Sequence, residues 1–289
     1  MAQQDSSWTH GGFIGLNFNQ VSLSYWSQGG ENSVALSFSG NTFAHYKKGT
    51  TTWDNDLSLG YGILKSNANP IRKNEDKIVF DSKYGQLAKG KFYYSGLVNF
   101  MSQFSKGYDY SLTPAPDVNQ DYISKLFAPA YLTAALGMEY RPNDGFSLFL
   151  SPATGKFTFV SDQKLADIAA YGVDTGKTFR SEYGALLKSK LNFDLDKNKK
   201  LNLQSNLMLF NNYTDKNKSN RKNIDLNFDV TLNAKIGKYF GASFYCNSIY
   251  DNDILIPVTE TMNGTTIVTG NTRHLQLKEV FGLGFSYKF

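Results

Sequence analysis

Apolar and polar residues alternate with a period of two along most of the chain. Val34, Leu36, Phe38, Gly40, Thr42, Ala44 and Tyr46 share one face, and Ser33, Ser37, Ser39, Asn41, His45 and Lys47 share the other. The run Ile224, Leu226, Phe228, Val230, Leu232, Ala234 and Ile236 interleaves with Asp225, Asn227, Asp229, Thr231, Asn233 and Lys235. Alternation at this period is the mark of β-strands with one apolar and one polar face. Twelve strands are predicted, over 11–26, 32–48, 51–65, 76–87, 90–105, 130–142, 145–160, 180–196, 199–214, 222–236, 238–250 and 273–289. The first run changes phase near Asn19 and Gln20, which predicts a β-bulge there.

These strands run well past the ~5–6 residues usual in soluble sheets and reach the ~9–11 that a tilted membrane strand needs. Short turns follow every second strand, at 48–49, 89–90, 143–145, 196–198 and 237–238; the intervening connections, 66–75, 106–129, 161–179, 215–221 and 251–272, are mostly longer. Short turns at one rim and long loops at the other match an outer-membrane barrel. Closure also removes the exposed edges that long strands would otherwise present. The fold class is therefore all-β, a closed antiparallel up-and-down transmembrane barrel of about twelve strands over 11–289, with 1–10 a periplasmic N-terminal extension. Tyr46, Trp53, Tyr94, Tyr140, Tyr213 and Tyr250 fall near strand ends, where aromatic amphiphiles settle at a membrane–water interface.

Composition agrees with this reading. The 289 residues include 18 Tyr, 22 Phe and 3 Trp, with 25 Gly and only 7 Pro. The single cysteine, Cys246, excludes an internal disulfide and a multi-thiolate metal site. A net charge of +5 without a basic stripe speaks against a nucleic-acid partner. The chain opens Met-Ala-Gln-Gln-Asp without the basic and apolar regions of a secretory signal. Ala2-Gln3 would suit a signal-peptidase junction, so a processed start is expected.

Chemistry-bearing motifs are few in this chain. His10, His45 and His274 are far apart and form no paired-ligand spacing; His45 points by phase into the lumen, where a hydrogen bond is its plain role. Residues 172–178 (GVDTGKT) are one residue short of a phosphate-binding loop and run into a strand where that loop needs a helix. No G-x-S-x-G occurs. The expectation is no enzyme, no cofactor and no metal, with an outer-membrane lipid-modifying enzyme as the third reading.

Charges on the polar phase are the better clue. Asp54, Asp56, Asp81, Lys83, Glu139, Arg141, Glu182, Lys188, Lys190, Asp225, Asp229 and Lys235 all fall there and are the lumen-lining candidates. Both signs on neighbouring strands allow ion pairs. A porin-like channel for small polar solutes is the leading expectation. A closed structural or accessory barrel scaffolding partner proteins is the alternative, since twelve strands lie between the filled eight and the open sixteen. Residues 161–171 predict a helix capped by Ser161, with Leu165, Ile168 and Ala169 on one side, folding over or into the mouth. Loops 106–129, 161–179 and 251–272 are the expected sites for envelope partners, beside outer-membrane lipid.

Two resemblances follow from particular residues. Phe281, Leu283, Phe285, Tyr287 and Phe289 alternate to the last residue. With Gly284, Tyr287 and Phe289, this resembles the terminal-strand signal by which bacterial outer-membrane proteins engage their assembly machinery; Gly282 departs from it where a polar residue is usual. The segments 15–32 (GLNFNQVSLSYWSQGGEN), 53–57 (WDNDL), 150–160 (LSPATGKFTFV) and 162–166 (DQKLA) resemble a family of Bacteroidetes envelope proteins known only as a domain of unknown function. That resemblance, from Trp8 to Phe289, implies an outer-membrane barrel and carries over no catalytic residue.

Overall fold

A computed structural model describes residues 7–22, 32–66, 71–109, 121–237, 240–254, 256–262 and 265–288. Twelve long strands close into one antiparallel ring. They are β1 (Trp8–Val21), β2 (Ser33–Lys48), β3 (Thr51–Ser66), β4 (Arg72–Lys89), β5 (Phe92–Ser102), β8 (Ala130–Asn143), β9 (Phe146–Phe159), β10 (Phe179–Asp194), β11 (Leu201–Asn212), β12 (Asp225–Lys235), β13 (Phe240–Tyr250) and β16 (Gln276–Lys288). The short pair β6 (Gly107–Tyr108) and β7 (Tyr122–Ser124) and the hairpin β14 (Ile256–Met262) and β15 (Thr265–Thr272) stand outside the ring. Both lie in connections expected to be loops. Consecutive barrel strands pair throughout, and β1 closes on β16 from Phe13↔Lys288 to Asn17↔Gly284.

The outer face is apolar. Phe281 is 77% exposed and Leu283 65%, and Ile14, Leu16, Phe18, Leu36, Phe80, Val98, Leu150 and Phe228 are exposed on other strands. A soluble sheet would cover this surface; a membrane barrel turns it to lipid. Among the described residues no helix is long and apolar enough to cross a membrane, so any crossing falls to the strands. The register puts Trp8 opposite Tyr46, Tyr46 opposite Trp53 and Trp53 opposite Tyr84, one aromatic row near the short-turn rim. Trp8 lies 5.2 Å from Tyr46 and 5.9 Å from Trp53, ring to ring. A second aromatic group, Phe157, Phe159, Phe179 and Tyr183, packs near the long-loop rim.

Several local expectations are corrected. β1 pairs with β2 without a shift from Trp8 to Val21, so the phase change at Asn19 and Gln20 is no bulge on that stretch. The barrel strand also starts at Trp8, inside the segment assigned to an extension. The bulge that reshapes the wall lies in β9. Leu136 faces Ala153 and Met138 faces Leu150, while Gly184 faces Thr154 and Leu186 faces Ser151. β9 thus holds one residue more than either neighbour around Pro152, a residue with no N–H to give a ladder. Ser151 holds the kink: its Oγ donates to Leu136 O at 2.7 Å and accepts from Ala153 N at 3.2 Å. The helix is shorter than 161–171. α1 spans Gln163–Asp167 and its cap is Asp162, whose carboxylate accepts from Leu165 N, rather than Ser161. Left-handed backbone at Ala169 and Tyr171 ends regular helix there.

Candidate functional site

The barrel interior is the first candidate. Along β3, β4, β8 and β10 the polar phase turns charged side chains inward, and they meet across the lumen rather than only between neighbours. Lys188 on β10 pairs with Asp81 on β4, strands separated by three others in the ring. Lys190 Nζ lies 3.0 Å from Asp56 on β3, which His45 Nε2 also contacts at 3.2 Å. Arg141 on β8 pairs with Asp54 on β3 and lies 3.4 Å from Glu139, which also binds Lys83 of β4. Asn99 donates to Asp81 and Lys83 to Ser147. A void of about 40 Å³ lies among Asp54, Asp56, Asp81, Lys83, Lys188 and Lys190, room for about three waters.

Nearer the long-loop rim a second network surrounds Lys156. Its ammonium lies 3.0 Å from Asp225, 3.2 Å from Asp251 and 4.0 Å from Glu182. Arg180 contacts Glu182 at 2.9 Å and also Asp253, and Asn212 donates to Glu182 at 2.9 Å. Asp229 accepts from Asn206 at 3.0 Å. Lys235 stands at the exposed end of β12 and joins none of the ion pairs among the described residues.

Sequence reasoning missed Lys156, Arg180, Asp251 and Asp253. Lys156 was hidden by the bulge: before Pro152 the odd residues Ser147, Phe149 and Ser151 are buried, and after it the even residues Thr154 and Thr158 are. Pro152 inside an alternating run was the available signal. Also missed were Glu75 and Lys278, which pair from β4 to β16, and Lys77, whose ammonium sits 5.0 Å from the Tyr245 ring centroid on β13.

The interior also holds an apolar core. Phe149 is 1% exposed and Leu186 0%, and they pack with Leu97, Ala135, Phe210 and Met208, all pointing inward from β5, β8, β9, β10 and β11. The wall opposite carries Gly15, Asn17, Ser37, Ser39, Asn41, Ser243 and Gly282 on its inner phase. Asn17, Ser37, Ser39, Asn41 and Ser243 are half-buried, whereas Ser95, Asn99, Thr133 and Ser147 on the packed wall are buried.

The third feature is a loop cap on the rim. Ala128, Val160, Leu165 and Val173 form a small buried cluster. Asp162 ties its polar side: it accepts from Tyr122 Oη at 2.9 Å and from Leu165 N at 3.0 Å, and Lys125 Nζ lies 2.5 Å away. Burial opposes ionisation of Asp162, but the Lys125 ammonium and these donors outweigh it and hold the carboxyl below its usual value. The same hydrogen bonds raise Tyr122 and Lys125. Burial pushes the Tyr171 phenol up to about 12, and its hydroxyl donates to Ile123 O at 2.6 Å. Residues 172–178 lead directly into β10, with no helix after them. His10 and His274 are exposed. Gly284 and Tyr287 lie on β16, while Phe289 falls outside the described residues.

Residues 18–108 match a family described as "Protein of unknown function (DUF3078)". The match takes in 53–57 and most of 15–32, and not the segments at 150–166. No curated protein matches the chain. Among solved structures it is similar to an outer membrane channel from Pseudomonas putida F1, at 11% identity and TM-score 0.40, covering 100% of this chain and 99% of that one. It is also similar to the translocator domain of autotransporter NalP from Neisseria meningitidis, at 12% and 0.38, covering 100% and 90%. OmpT, an outer membrane protein of Vibrio cholerae, follows at 8% and 0.32, covering 98% and 97%. The fold of this chain rests on its strand register and not on these likenesses.

Proposed function

We propose that the chain is a bacterial outer-membrane barrel that rests closed and serves as a non-enzymatic scaffold, presenting its loop cap to envelope partners. The observation that carries this reading is the set of cross-lumen ion pairs, Lys188–Asp81, Lys190–Asp56 and Arg141–Asp54, backed by the inward core around Phe149 and Leu186. Side chains that meet across a lumen occupy the path a solute would take. The exposed apolar band and the aromatic row at Trp8, Tyr46, Trp53 and Tyr84 support placement in a bilayer. Loops 106–129, 161–179 and 251–272 are the surfaces for partners, and Gly284, Tyr287 and Phe289 the segment for the assembly machinery.

A porin-like conduit for small polar solutes is the second reading. It is favoured by the half-buried Asn and Ser side chains of the wall opposite the core. Single-channel recording of the purified barrel in a planar bilayer separates the two. An inserted but silent protein supports the closed scaffold. Reproducible steps that change on charge reversal at Lys190 or Asp229 would establish the conduit instead.

A further inference from the structure

We infer that the outer wall carries a binding site for one acyl chain of a bilayer lipid. The inference rests on the membrane placement proposed above. A furrow of about 920 Å³ crosses the outer face from Tyr84 on β4 to Tyr213 just past β11. Its floor is made by small residues, Gly96, Gly137 and Ala185. Its flanks are large: Leu136 is 70% exposed, Tyr94 62% and Leu150 57%.

The β9 bulge makes the dent. Gly137 stands opposite Ser151 and Pro152, and Ala185 opposite Pro152 and Ala153, so the extra residue breaks the even spacing of outward side chains on both sides. A Cβ on Gly137 would lie 2.1 Å from Leu150 O, so the bulged strand packs against bare backbone there.

Three observations select the occupant. The furrow crosses five strand spacings (β4, β5, β8, β9, β10, β11), roughly 24 Å at ~4.8 Å each, the scale of an extended hydrocarbon chain. Among the described residues no charged side chain lines it, and the phenols of Tyr84 and Tyr213 mark its two ends, one towards each rim. The site is continuous with the apolar band, where lipid is the contacting medium. A second copy of the barrel would present a convex wall, which would span the furrow without filling it.

The test is native mass spectrometry of the full chain released from detergent after titration with phosphatidylethanolamine. The wild-type protein should retain one lipid. Ala185→Trp, whose side chain fills the furrow from an outward position, should lose it, while Leu283→Trp on β16 should keep it. Gly96→Leu is the second blocking variant and should also lose the lipid; its Cβ sits 3.3 Å from Leu136 Cδ2, a flexible neighbour. Equal retention by wild type, Ala185→Trp and Gly96→Leu overturns the proposal. So does a lipid-free dimer that the blocking variants disperse, since the furrow would then be a protein interface. A wild-type chain that shows no heat-modifiable barrel band and inserts into no bilayer would sink the membrane reading itself, a result separate from the fate of the furrow.

Discussion

From β5 to β11 the barrel turns Leu97, Phe149, Leu186 and Phe210 inward; β1, β2, β13 and β16 turn inward Asn17, Ser37, Ser39, Ser243 and Gly282. The first wall is packed as the core of a soluble protein is packed. The second mixes short polar side chains that keep partial exposure with the rings of Phe13, Phe43 and Tyr245 and the ammonium of Lys278. The difference shows that burial inside a twelve-stranded ring need not be uniform. The first wall is thus the more deeply buried of the two. Lys188–Asp81 ties β10 of the first wall to β4, and Lys278–Glu75 ties β16 of the second wall to that same strand.

Substitutions should separate the walls. Phe149→Ala opens a cavity in the packed wall and should cost ~3–5 kcal/mol in reversible denaturant unfolding. Ser39→Ala on the other wall should stay within ~0.5 kcal/mol. Similar losses at both positions would abolish the distinction. On the lipid side, Phe228→Arg lies mid-strand on β12 and outward, so it should cost ~2–4 kcal/mol in bilayers; an unchanged midpoint would mean that the faces are assigned backwards.

The cross-lumen pairs should show coupling. Lys188→Met leaves Asp81 facing a largely desolvated neighbourhood and should destabilise by roughly 1–3 kcal/mol. Adding Asp81→Asn should recover most of that loss, because the orphaned charge is removed. Strict additivity of the two changes would show that the pair does not span the lumen in the membrane.

The smallest effect concerns the loop cap. Asp162 is depressed when folded relative to the ~3.9 of a free carboxyl. Its contribution is therefore complete above about pH 4 and is lost as pH falls through the depressed folded value. Hydrogen exchange at the Leu165 amide should be pH-independent in protection near neutrality and weaken in acid. Asp162→Ala should remove ~0.5–2 kcal/mol of local protection at neutral pH. Protection of Leu165 that survives both would show that Asp162 is not the cap.

The strand ring was legible in the alternation, because a barrel wall in lipid imposes period two on almost every residue. The packed interior was legible only where alternation failed. Residues 148–150 (LFL), 185–187 (ALL) and 207–210 (LMLF) are apolar on both phases, as strands buried on both faces are. Lys156 could not be placed by counting, since one extra residue at Pro152 moves everything after it to the other face. The cross-lumen partners are fixed by how strands far apart in the ring come to face each other, and strand pattern alone does not encode that distance. Asp162 replaced Ser161 as cap because its carboxylate reaches Leu165 N while also taking Tyr122 and Lys125 from another loop.

The unequal burial of the two walls is tested most directly by single cysteines in a Cys246→Ala background, reconstituted in liposomes and treated with a water-soluble thiol reagent. Ser243→Cys on β13 faces the polar wall and should be modified quickly, whereas Thr133→Cys, buried on β8, should stay unmodified until the barrel unfolds. Equal and rapid modification at both positions would contradict the packed wall, and protection of both would contradict the wetted one.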